Sequence, residues 1–116
     1  MAGTSSVPEF EEKTFGARGV SVHYAEGPQN GPPLVLLHGL ARDWKSFSVL
    51  LPEISSRFHV FALDLRGHGA SRHVTRGYRI DDSAEDVAKF LTTLLSGGAA
   101  IFGHSLGAMV GAGVHR

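Results

Sequence analysis

Ser105 is framed by Gly103 and Gly107 in the stretch FGHSLGAMV, Phe102 to Val110. A serine in G-x-S-x-G spacing can attack an acyl carbon if the backbone turns sharply enough to present its hydroxyl. The glycines supply that condition, because without Cβ atoms they let a strand and a helix close on a strained residue. Acyl transfer also needs two N–H donors for the oxyanion that develops on the substrate. One would be Leu106, directly after the serine and at the positive end of the helix that follows. The other would come from LLHGL, Leu36 to Leu40, with Leu40 as the donor and Gly39 letting the backbone approach the substrate.

A strand must deliver Ser105 and a helix must leave it. AAIFGHS reads as a short buried strand and LGAMVGAGVH as the start of a helix. Two earlier runs, Leu34 to Leu37 and Phe58 to Leu65, are apolar almost without alternation, which suits strands buried on both faces of a parallel sheet. Between them Trp44, Phe47, Leu50, Leu51 and Ile54 recur at spacings of three and four, a helical face limited by Pro52. DDSAEDVAKFLTTLLSGG is the clearest helix. Asp82 and Glu85 form a capping-box-like start, Val87, Phe90, Leu91, Leu94 and Leu95 a stripe, and Gly97 a C-terminal cap. Upstream, KTFGARGVSVHYAEG predicts two strands around a glycine turn, with Val20, Val22 and Tyr24 alternating with Ser21 and His23. The order β-β-β-α-β-α-β-α predicts an α/β fold, a parallel-dominated sheet with helices on both faces.

Three motifs then stand in order: HGL at 38–40, DLRGHGAS at 64–71 and GHSLGA at 103–108. Together they resemble the α/β-hydrolase superfamily from about residue 14 to the end. The resemblance implies a nucleophile at Ser105, oxyanion donors at Leu40 and Leu106, and a structural His-Gly turn at His38–Gly39. It implies hydrolysis of esters, thioesters, lactones or C–C bonds of small acyl compounds, with no metal or organic cofactor. Serine rather than aspartate at 105 argues against the dehalogenase and epoxide-hydrolase branches. In that superfamily an acid and a histidine follow the serine on later strands, and this sequence has no residues for them. The chain therefore reads as a flexible tail, 1–12, and the N-terminal half of such a domain, 13–116, truncated after the nucleophile elbow. A complementing C-terminal half or self-association is expected of it. The alternative is a catalytically silent fragment that acts only by association.

The base for Ser105 should be a histidine within hydrogen-bond reach. His115 would lie roughly 15 Å along the same helix, and His104 should point elsewhere. His38 is the one nearby candidate, a weak one, and a hydrogen-bonded turn brace is the stronger reading of it. Asp64 is expected to bond turn N–H groups or Arg66 rather than to serve as the acid. Arg66, Arg72, Arg76 and Arg79 read as a solvated loop balanced by Asp81, Asp82, Glu85 and Asp86. Met109, Phe47, Phe61 and Phe102 read as core.

Composition sets outer limits. The 116 residues carry zero formal net charge, which removes the footprint of a general nucleic-acid binder. There is no cysteine, so thiolate metal sites and disulfides are excluded, and a reducing, cytoplasmic setting is the default. The N-terminal residues lack the charge-then-apolar pattern of a secretory signal. No apolar run approaches the ~20 residues that span a bilayer.

Overall fold

The computed structural model describes residues 3–4, 9–17, 20–39, 43–66, 68, 80–104 and 106–114. The two unbroken apolar runs become the centre of the sheet. Strand β4, Pro33–Leu37, pairs in parallel with β5, His59–Leu63, from Pro33 opposite His59 to Leu37 opposite Leu63. Successive side chains leave a strand on opposite faces, and here both faces are covered. Val35, Leu37 and Leu63 pack with Ala84, Val87 and Phe90 of α2, Ile80–Leu94, and with Val110 of α3, Leu106–Gly113. Leu36, Val60 and Ala62 pack with Trp44 and Phe47 of a 3-10 turn, Trp44–Phe47, and with Leu51 of α1, Leu51–Ser55.

The remaining strands are β1, Gly3–Thr4; β2, Glu11–Ala17; β3, Val20–Glu26; and β6, Ala100–Gly103. The sheet order is β1-β2-β3-β5-β4-β6. It is a mixed sheet with helices on both faces. The β5-β4-β6 half is parallel and carries the motifs, whereas β1, β2 and β3 join one another and β5 antiparallel. Among the described residues no helix is long and apolar enough to cross a membrane.

Several local expectations need adjustment. The stretch read as a tail holds β1 and the start of β2, and Phe10 is core, stacked on Trp44 at a centroid distance of 6.5 Å. The 44–54 face is not one helix: a 3-10 turn and a further turn over 48–50 precede α1, whose first turn accommodates Pro52. Helix α2 begins at Ile80, so Asp82 lies inside the first turn and is not the cap. The glycine needed after α2 is Gly98, at φ +93°, not Gly97. Strand β6 is not buried: it ends the sheet formed by the described residues, and Phe102 is 52% exposed.

Candidate functional site

Register brings the carboxyl ends of three parallel strands side by side. Leu37 of β4 is opposite both Leu63 of β5 and Gly103 of β6. The residues that follow them, His38, Asp64 and His104, therefore share one edge of the sheet. The connection leaving β4 runs over the Trp44 face, while α3, leaving β6, packs on the opposite face with α2. Adjacent strands whose connections part in this way open a crevice at their carboxyl ends, where α/β sheets bind ligands.

The elbow glycines stand at the tightest contacts of that edge. A Cβ on Gly103 would lie 2.4 Å from the Gly107 carbonyl oxygen, and one on Gly107 would lie 2.1 Å from the Leu37 carbonyl oxygen. Both neighbours are backbone and cannot rotate away, so only glycine permits α3 to start this close to β6 and β4. His104 N–H donates to Leu37 O at 3.0 Å, and Gly107 N–H donates to His104 O at 3.0 Å. Leu106 is the first residue of α3. Ser105 and Leu40 lie outside the described residues, as does His115.

Three consecutive residues after β5 hold the site's surroundings. Asp64 Oδ1 accepts the Trp44 backbone N–H at 2.7 Å. Leu65 N–H donates to His38 Nε2 at 2.9 Å. Arg66 Nε and Nη2 donate to the two carboxylate oxygens of Asp86 at 2.7 and 2.8 Å, a buried bidentate pair that anchors the segment to α2. The segment 38–44 is thus tied to residues 64–65 at both its ends.

His38 is fully buried, and its tautomer follows from its partners. Nε2 accepts from Leu65, so Nδ1 carries the proton and donates to Gly39 O at 2.7 Å. Burial holds the His38 pKa below the ordinary imidazole range, so the ring stays neutral. Both nitrogens are spent on backbone groups. His23 is the reverse case. It lies between Asp64 and Glu12, and its pKa is raised, first by the hydrogen bond to Asp64, against the opposing effect of burial.

A surface cavity of about 260 Å³ beside this edge is lined by Ser46, Phe47, Leu50, Phe102 and His104. Of the side chains expected in the core, Phe47 and Phe61 are buried, whereas Phe102 and Met109 are half-exposed. Phe102 meets Phe47 edge-on at 6.3 Å.

A sequence model of the α/β hydrolase fold matches residues 32–113, more than half of the chain. This chain belongs to the α/β-hydrolase family. Its relatives include the 2-(acetamidomethylene)succinate hydrolase of Mesorhizobium japonicum, 40% identical over 68% of this chain and 28% of that protein. Another is epoxide hydrolase 4 of Mus musculus, 35% identical over 79% of this chain and 26% of that protein. Among solved structures, Cfl2 from Burkholderia cenocepacia superimposes with a TM-score of 0.85 at 27% identity, over 93% of this chain and 37% of that one. The α/β-hydrolase chain thus spans well under half the length of the relatives it matches.

Two site features of this α/β-hydrolase were not anticipated. Arg66 is buried against Asp86 rather than solvated, and Asp64, which accepts the amide of Trp44 at the start of the 3-10 turn as expected of a turn-bonding carboxylate, also meets His23. His23 alternates with the core residues of β3, which suggested a polar outer face. That face is covered too, and no local signal in VSVHYAE reveals it.

Proposed function

We propose that this chain is the nucleophile-bearing part of a serine hydrolase for small carboxylic esters. Ser105 Oγ attacks the acyl carbon, and its proton passes to a histidine base. The oxyanion that forms on the carbonyl is held by the N–H groups of Leu40 and Leu106. Collapse expels the alcohol and leaves an acyl-serine, which water then cleaves to the acid. The observation that carries this reading is the steric closure at Gly103 and Gly107, which admits no side chain at either position, two residues before and two after Ser105. Leu106 as the first residue of α3 agrees with it, since the first N–H groups of a helix have no partner within the helix.

Neither described candidate supplies the base or the acid. His38 holds backbone groups with both nitrogens, and Asp64 engages Trp44 and His23. A complementing C-terminal segment would bring both, in a cytoplasmic setting that suits a chain without cysteine. The relatives include hydrolases of a substituted succinate and of epoxides. Serine chemistry favours acyl substrates: opening an epoxide with a serine oxygen leaves an ether that water does not release, whereas an acyl-serine hydrolyses.

Labelling with a fluorophosphonate probe tests the reading, with Ser105→Ala as control. Label on the wild type and none on the variant is expected. A chain that takes no label is the silent alternative, acting by association through the exposed Phe102 and Met109. An oxyanion hole and binding alone can leave about 10³–10⁴-fold acceleration over water. Slow turnover of an activated aryl ester is therefore expected, far below the ~10 s⁻¹ of a complete enzyme.

A further inference from the structure

Asp64 divides its buried carboxylate between two elements. Oδ1 takes the Trp44 amide at 2.7 Å, where the segment that begins at His38 passes into its 3-10 turn. Oδ2 lies 2.9 Å from Nδ1 of His23 on β3, and His23 Nε2 lies 2.8 Å from Oε1 of Glu12 on β2. Ring nitrogens at these distances from carboxylate oxygens act as donors. The arrangement is a chain of contacts from the N-terminal hairpin, through the end of β5, to the backbone that follows Leu40. His23 makes no part of the acyl-transfer scheme, yet it contacts the other oxygen of the carboxylate that receives the Trp44 amide.

We infer that His23 is a positioning residue: by orienting Asp64 it sets where the Trp44 backbone is held. The functional side of this inference rests on the reading of Leu40 as an oxyanion donor. Among the described residues, the charged groups facing His23 are Glu12 from β2 and Asp64 from the end of β5. Asp64 in turn acts on His38, whose ring stays neutral and is tilted against that of His68 at 5.1 Å. The Trp44 amide therefore senses the protonation of His23 through one shared carboxylate.

The test follows the Trp44 backbone amide by ¹⁵N NMR in the full chain, from about pH 5 to 9, together with the His23 ring. The two are expected to titrate with one midpoint above the ordinary 6.5. A Trp44 amide that ignores His23 in the wild type overturns the inference, and this arm needs no variant to fold. His23→Leu should move the amide upfield and remove the transition. His23→Asn, which offers an N–H in place of Nδ1, should restore its position without the transition, and failure of that rescue also counts against the inference. Fluorophosphonate labelling of the same proteins carries the functional arm. Labelling slowed in His23→Leu by up to about 10²-fold, the loss of one oxyanion donor, and recovered in His23→Asn supports the role. Equal labelling rates in all three overturn it. A wild type that takes no label while its Trp44 amide still follows His23 sinks the nucleophile reading and supports the positioning contact.

Discussion

Gly107 and Leu37 meet so closely that a Cβ on the glycine would lie 2.1 Å from the Leu37 carbonyl oxygen. The contact sets the first turn of α3 against the carboxyl end of β4. Alanine is the better helix former by about 1 kcal/mol, but the clash is with backbone and outweighs it. Gly107→Ala is expected to destabilise by at least the ~1–3 kcal/mol typical of overpacking. Gly111→Ala, in the same helix, meets side chains alone, Ile101 at 3.3 Å and Leu37 at 3.7 Å, and is expected to be near neutral. Urea unfolding of the two variants checks this, and equal midpoints would remove the steric argument.

The Arg66–Asp86 pair ties the segment after β5 to α2 out of contact with water. Removing one partner takes a bidentate contact away from a buried charge, at a cost of up to about 3–5 kcal/mol. Against a total stability of about 5–15 kcal/mol, Asp86→Ala should come close to unfolding the chain. Replacing both charges, Arg66→Met with Asp86→Leu, should be less harmful than Asp86→Ala alone, because neither charge then loses its bidentate contact. Denaturant midpoints of the single and double variants decide it. A single variant as stable as wild type would show that the pair is not needed.

The parallel half of the sheet was legible because Leu34–Leu37 and Phe58–Leu65 offer no polar face, and only a doubly covered strand tolerates that. The elbow was legible because its requirements, two residues without Cβ between a strand and a helix, are local. Partners chosen by topology were not. Asp64 reaches His23 and Trp44, and Arg66 reaches Asp86, across 20 to 41 positions. Which carboxylate meets which cation depends on strand order, and local patterning does not encode that order. Phe102 misled for a related reason: an apolar strand residue is buried only as far as neighbouring elements cover it, and β6 ends the described sheet with Phe102 half-exposed.

That open edge has a consequence in solution. Strand β6 pairs with β4 on one side and ends the described sheet on the other, with Phe102 and Met109 half-exposed nearby. Unpaired strand edges template pairing with a second chain, and charged side chains on an edge discourage it. The wild type should therefore show concentration-dependent mass in light scattering, and Phe102→Lys should shift it toward monomer. A wild type that stays monomeric at every micromolar concentration would count against edge pairing.

The two buried histidines should give stability opposite pH limbs. Burial favours the neutral form of His38, so the unfolded chain takes up a proton that the folded chain refuses. This contribution is complete above the ordinary imidazole value of 6.5 and is lost as pH falls toward the lower folded value. His23 has the opposite sign: its folded pKa is raised by the Asp64 hydrogen bond and by Glu12. Its contribution is complete below 6.5 and is lost as pH rises through the folded value. Glu26 adds a separate limb at lower pH. Burial would raise its pKa, but Lys13 and His59 together hold it below 4.5, so its contribution is lost as pH falls below that value. Urea midpoints across pH should form a dome around neutrality. His38→Gln should flatten the limb just below 6.5, and His23→Gln the limb above it, whatever each variant does to the peak height. If His23→Gln leaves the alkaline slope unchanged, the imidazolium held between Glu12 and Asp64 is not what links folding to pH there.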